Sequence, residues 1–243
     1  MIRKLLFSFS LLLFSLLPFS CEQLTELGIT NEEIVAGLKE ALNQGARVAS
    51  DGLGVTDGYF KDQAVKILLP ADAVNMIEKA YALPGAELLL KPYMETVIEK
   101  MNRGAEKAAT KAVPIFANAI SSMSIEDAMN ILKGSDTAAT AYLRQTTSQP
   151  LTSAFAPEIN SAMDEAGAST AWSTLFNEYN SYVTPFTAAT LGLKTINPNL
   201  GEYATEKALN GLFRKVGDEE TGIRTNLSKR GSDLLKKVFK EQD

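Results

Sequence analysis

The 243-residue chain has no histidine and one cysteine, Cys21. The first absence removes the side chain that most often serves as general base near neutral pH, and the commonest zinc ligand. The second excludes an intramolecular disulfide and leaves no thiol nucleophile apart from Cys21 itself. Ser-x-x-Lys, Gly-x-Ser-x-Gly, the phosphate-binding P-loop and the calcium-loop pattern are missing too. Most hydrolase mechanisms fall with them, and carboxylate, lysine or tyrosine chemistry is what stays open. No metal site and no cofactor is expected. Gly52-Leu-Gly54-Val-Thr-Asp-Gly58 only approaches a dinucleotide fingerprint, because it follows a helix instead of a strand and its third glycine is one place late.

Strand-like alternation and low-complexity tracts are also nearly absent, and there is no repeat of 20 to 50 residues. Basic residues are in deficit, 24 against 29 acidic, for a net charge of −5. That balance argues against nucleic acid as a partner.

The chain opens with Arg3-Lys4 followed by the apolar run Leu5 to Leu17, the pattern of a secretory signal and too short for a comfortable membrane span. Leu17-Pro-Phe-Ser-Cys21 then resembles a bacterial lipoprotein signal, in which the cysteine becomes the lipid-bearing first residue. Ser20 supplies the small residue before it, while Pro18 and Phe19 depart from the usual pattern. The organisation expected is a signal over 1–20, a lipidated tether over 21–29 and a helical domain over 30–243. Each acyl methylene buried is worth roughly 0.8 kcal/mol, so two chains on Cys21 suffice for stable anchoring. The expected location is the bacterial cell envelope, membrane-anchored and facing the periplasm or the exterior.

From Thr30 onward the signals are helical. Thr30-Asn-Glu-Glu33 is a capping box ahead of Ile34, Leu38, Ala41, Leu42 and Ala49, and Gly52-Leu-Gly54 ends that element. Asp57-Gly58-Tyr59-Phe60 reads as a turn and Val65 to Leu69 as a brief extended piece, leaving room for one small hairpin near residues 57–70. Pro70 suits the start of a helix over Ala71 to Leu83, and a longer one is expected from Glu87 toward Ala112. Pro114 opens the next segment. Ser124-Ile-Glu-Asp127 caps another helix, which Gly134 closes in a left-handed conformation, and Ser135 or Asp136 caps its successor. Leu151, Phe155, Ile159 and Met163 form a stripe that Pro157 is expected to kink or divide. Trp172, Leu175, Phe176 and Tyr179 form a second stripe, read as core, with a lined apolar cavity as the alternative. Residues 184–200 lack a period and are read as a mobile loop or a groove cover. The fold class is all-α, a single compact domain of about eight to ten helices.

Polar residues at helical spacing concentrate between Met101 and Arg144, the mark of a helical core with specific polar contacts. Asn102 and Glu106 share a face, next to Arg103. Asp127 has a capping role open to it. Asp136, Thr140 and Arg144 lie along one helix, with Arg144 placed to meet an anion or a carboxylate such as Glu106 or Glu126. All seven are read chiefly as structural. Glu220 and Arg224 form an i,i+4 pair of modest worth if exposed, about 0.3 to 0.5 kcal/mol. Near the C-terminus Lys229, Arg230, Lys236, Lys237 and Lys240 stand opposite Leu234, Leu235, Val238 and Phe239. That short amphipathic stretch suits either a membrane surface or docking on the core.

Asn102-Arg-Gly-Ala-Glu106, Ser124-Ile-Glu-Asp-Ala128, Gly134-Ser-Asp-Thr-Ala-Ala-Thr140 and Tyr203 through Phe213 together resemble a family of bacterial envelope proteins, domain of unknown function 4197. Asp57 to Phe60 and Leu234 to Phe239 fit it as well, so the resemblance runs from about Glu32 to Phe239. It implies a helical, secreted, commonly lipid-anchored protein and carries over no catalytic residue. The function expected is a non-enzymatic binding or scaffold module with an envelope protein as partner. The alternatives are a carrier or sensor of a small amphipathic ligand and, third, a carboxylate enzyme.

Overall fold

The computed structural model describes residues 30–81, 85–181 and 183–240, which form ten α-helices in one domain with no strand among the described residues. The leader, the tether and Cys21 lie outside them. The helices are α1 (Asn31–Leu53), α2 (Ala71–Ala80), α3 (Ala86–Ala109), α4 (Ala112–Ser121), α5 (Ile125–Leu132), α6 (Ala138–Asp164), α7 (Ala168–Ser181), α8 (Pro185–Leu191), α9 (Leu200–Thr225) and α10 (Asp233–Val238). A 3-10 turn over Leu227–Lys229 links the last two.

Local chemistry sets the first starts. Thr30 accepts the Glu33 amide at 3.2 Å while Glu33 accepts the Thr30 amide at 2.8 Å, completing the expected box. Ser124 and Asp127 repeat that arrangement at the head of α5. Accepting hydrogen bonds from Ser124 holds the Asp127 carboxyl below its ordinary range.

The core is organised by α6. It packs on α3, α9 and α4, and α1 closes the other side of α9 and α4. Leu151, Phe155, Ile159 and Met163 are each fully buried along α6, which runs unbroken through Pro150 and Pro157. The expected division at Pro157 does not occur, and magnitudes say why. An interior proline costs about 3 kcal/mol, whereas burying four such side chains returns about 1.5 to 3 kcal/mol each. Where α6 crosses α3, a Cβ on Gly104 would sit 2.7 Å from the Ile159 Cα, so only glycine allows the two backbones to approach this closely.

Three further expectations are corrected. Residues 54–69 form no hairpin; they run as turns and extended chain held against α3 and α9. Gly134 is not left-handed. It is required for space, since a Cβ there would meet the Ala138 Cβ at 2.6 Å. The segment after α7 contains the short helix α8, capped by Thr184, and then an extended stretch pinned to α7. Asn180 pairs with both peptide groups of Ile196, and the Trp172 indole donates to the Asn197 carbonyl at 3.1 Å. Trp172 and Phe176 are buried with ring centroids 4.4 Å apart and Tyr179 is half-buried beside them, so the aromatic part of the second stripe is core, whereas Leu175 is exposed.

Candidate functional site

Asn102, Arg103 and Glu106 sit on consecutive turns of α3 facing the 54–69 segment; Asn102 and Glu106 act on its backbone and Arg103 on the Asp57 side chain. Asn102 is fully buried; its Oδ1 accepts the Ile67 amide at 2.9 Å and its Nδ2 donates to the Ile67 carbonyl at 2.8 Å. Glu106 accepts the amides of Tyr59 and Phe60 at 3.2 and 3.1 Å. The expected Asn102–Glu106 contact is therefore replaced by separate contacts to that segment. Arg103 bridges the remaining Glu106 oxygen, at 2.8 Å, to Asp57, at 2.9 Å. Asp57 takes a positive φ of 71°, which an aspartate tolerates better than most residues. Hydrogen bonds from Lys61 and Arg103 hold the Asp57 carboxyl below its usual range, and the carboxylates beside Arg103 push its guanidinium up. Tyr59, buried, donates to the Ala208 carbonyl at 2.8 Å, and burial raises its phenol above the ordinary value.

A second polar cluster surrounds Glu220. Its carboxylate accepts the amides of Ala139 and Thr140 and the Thr140 hydroxyl at 2.8 to 2.9 Å, satisfying the free donors at the start of α6. Neither Ser135 nor Asp136 is the cap; the helix begins after Thr137, which makes no side-chain cap of its own. Asp136 contributes its carbonyl to the Thr221 hydroxyl. Arg224 pairs with Glu220 at 3.1 Å and donates to the Ile131 and Leu132 carbonyls at the end of α5. At 3% exposure for Arg224 and 6% for Glu220, the i,i+4 pair that the spacing indicates is a buried ion pair, so the worth given for an exposed one does not apply. The sequence signal was present: Glu220 continues the apolar stripe Phe213, Val216, Ile223.

The basic C-terminal stretch divides. Arg230 is 2% exposed and donates to the Ile223 and Arg224 carbonyls at the end of α9, so it is no membrane contact. Lys229 pairs with Glu219 and Lys236 with Asp233. Lys236, Lys237 and Lys240 are exposed, while Leu235, Val238 and Phe239 are buried in the core, with α10 packed on α1.

Arg144, like Asp136, is an exposed member of the expected network. It meets neither Glu106 nor Glu126, but donates to Asn210 at 2.9 Å and lies 4.5 Å over the Phe213 ring. It heads a trough of about 440 Å³ between α6 and α9, whose polar walls include Ser148, Thr152, Asn160, Glu202, Glu206 and Asn210. Thr152, Asn160, Glu202 and Glu206 are exposed. The trough offers guanidinium and amide donors beside carboxylate, amide and hydroxyl acceptors along its length. Among the described residues no three His, Cys, Asp or Glu side chains converge as a metal site, and no helix is long and apolar enough to cross a membrane.

A family model described as protein of unknown function, DUF4197, matches residues 28–240. No curated protein and no solved structure matches the chain.

Proposed function

The chain belongs to the family of proteins of unknown function DUF4197, and we propose that it is a non-enzymatic binding module, carried at the bacterial cell envelope by acylated Cys21. The trough between α6 and α9 carries this reading. It is built on the two long helices that anchor the core, and its lining holds both donors, Arg144, Asn160 and Asn210, and acceptors, Glu202 and Glu206, of the kind a peptide backbone can pair with. The partner is therefore an envelope protein offering an extended polar segment. Support comes also from the use of the other polar groups: Asn102, Glu106, Glu220, Arg224 and Arg230 all hold backbone groups of the domain itself.

A photoreactive residue in place of exposed Thr152, with one in place of exposed Glu40 on α1 as the control, tests the trough in intact cells. The expected result is a discrete adduct with an envelope protein from position 152 alone, lost when Arg144→Glu is added. Equal adducts from both positions would overturn it. The anchor is tested separately, since Cys21→Ser is expected to move the protein from the membrane to the soluble fraction; persistence on membranes would refute it.

A further inference from the structure

On the other side of Asn210 from the trough, residues 64–68 and α9 enclose a second depression, of about 330 Å³, into which Lys66, Lys207 and Arg214 all face together with Tyr203. Tyr203, Lys207, Asn210 and Arg214 follow at steps of four, three and four, which aligns them on one face of the helix. The opposite wall is there because Gly211 admits it: a Cβ at that position would lie 2.9 Å from the Tyr59 ring and 3.1 Å from Val65.

The chain is acidic, yet no carboxylate lines this pocket. Among the described residues none of its three cations has an ion-pair partner. Their neighbours hold them without neutralising them. Lys66 lies 4.3 Å over the Phe60 ring, Lys207 lies 5.3 Å over the Tyr203 ring, and Arg214 donates to the Ala64 carbonyl at 3.2 Å. The nearby carboxylate of Asp62, which also feels Arg214, is taken by Lys215 at 2.6 Å. Three preoriented cations, none in an ion pair, around one concavity match the several oxygens of a phosphate group. Leu68, 56% exposed, adds an apolar rim.

We propose that this pocket binds a phosphate-bearing anion through Lys66, Lys207 and Arg214. The same chemistry belongs to free phosphate and to the headgroup of an anionic phospholipid, and the Leu68 rim gives the second an apolar contact for the start of its acyl chains.

The test uses the Cys21→Ser chain, which has no cysteine to acylate. Amide spectra are followed at Ile67 and Gly211 during titration with inorganic phosphate, and co-flotation is measured with phosphatidylglycerol and with phosphatidylcholine vesicles. Saturable shifts with inorganic phosphate identify a free-phosphate site; capture by phosphatidylglycerol vesicles alone identifies a headgroup site. In either case Lys207→Glu weakens binding at least about tenfold, the size of one charge-assisted hydrogen bond. Lys194→Glu, the same charge change at an exposed lysine outside the pocket, leaves binding intact. No saturable response to either probe, or equal losses in the two variants, would overturn the proposal.

Discussion

Asn102 pairs with Ile67 as a neighbouring strand would, accepting its amide and donating to its carbonyl from a single side chain. Asn180 treats Ile196 the same way, at 2.9 and 2.6 Å. An extended segment inside a helical protein has no ladder to join, so its buried peptide groups need partners from side chains. A carboxamide carries one donor and one acceptor at the right separation.

Asn102→Leu is therefore expected to lower stability by about 2 to 4 kcal/mol, since two buried peptide groups lose their partners at roughly 1 to 3 kcal/mol each. Urea denaturation measures it. A loss under about 0.5 kcal/mol would mean that the segment finds other partners and that the clamp is dispensable.

Glu220→Ala removes the cap of α6 and leaves Arg224 buried without its carboxylate, a change expected to cost about 3 to 5 kcal/mol. Glu220→Gln keeps an acceptor for the α6 amides and is expected to cost less. The order of the two denaturation midpoints is the readout, and equal midpoints would show that the charge alone matters.

Gly104→Ala introduces a methyl group against backbone, not against a side chain that can turn away. The α3–α6 crossing must open, and overpacking of this kind costs about 1 to 3 kcal/mol. A lowered melting temperature is expected; an unchanged one would show that the crossing has slack.

Stability is expected to fall on acidification. Asp57 is held below its ordinary range chiefly by Lys61 and then Arg103, Asp62 by Lys215 and Glu158 by Lys107 and Lys111. A depressed folded-state pKa means that the unfolded chain takes up protons first. The contribution is complete above the ordinary values of 3.8 and 4.5 and is lost as pH falls through the lower folded ones. With no histidine in the chain, no imidazole titration intrudes between pH 5 and 8. Urea midpoints that are level across that range and drop below about pH 4 check this; a midpoint that rises on acidification would contradict it.

Features governed by near neighbours in the chain were legible in the sequence. Thr30 with Glu33 and Ser124 with Asp127 form the boxes that their spacing announces, and Leu151 through Met163 bury the face that their period defines. What escaped depended on a partner far along the chain. Glu220 lies 80 residues from the Thr140 amide it accepts, so i,i+4 spacing revealed Arg224 and concealed the cap. Pro157 stays inside α6 because the packing around Ile159 outweighs a local rule. Lys66 and Lys207 became neighbours only through the close approach that Gly211 permits.

The packing of α10 on α1 also bears on how the chain folds. A Cβ on Gly37 would lie 2.7 Å from the Val238 Cγ2, so the first described helix is shaped to receive the last. Gly37 and Val238 lie far apart in the sequence. Contacts of such separation carry a high loop-closure cost and form after those between helices adjacent in the chain. Docking of α10 on α1 is thus a long-range closure of the domain, and loss of α10 leaves the Gly37 side of α1 uncovered while α9 and α4 still cover the rest.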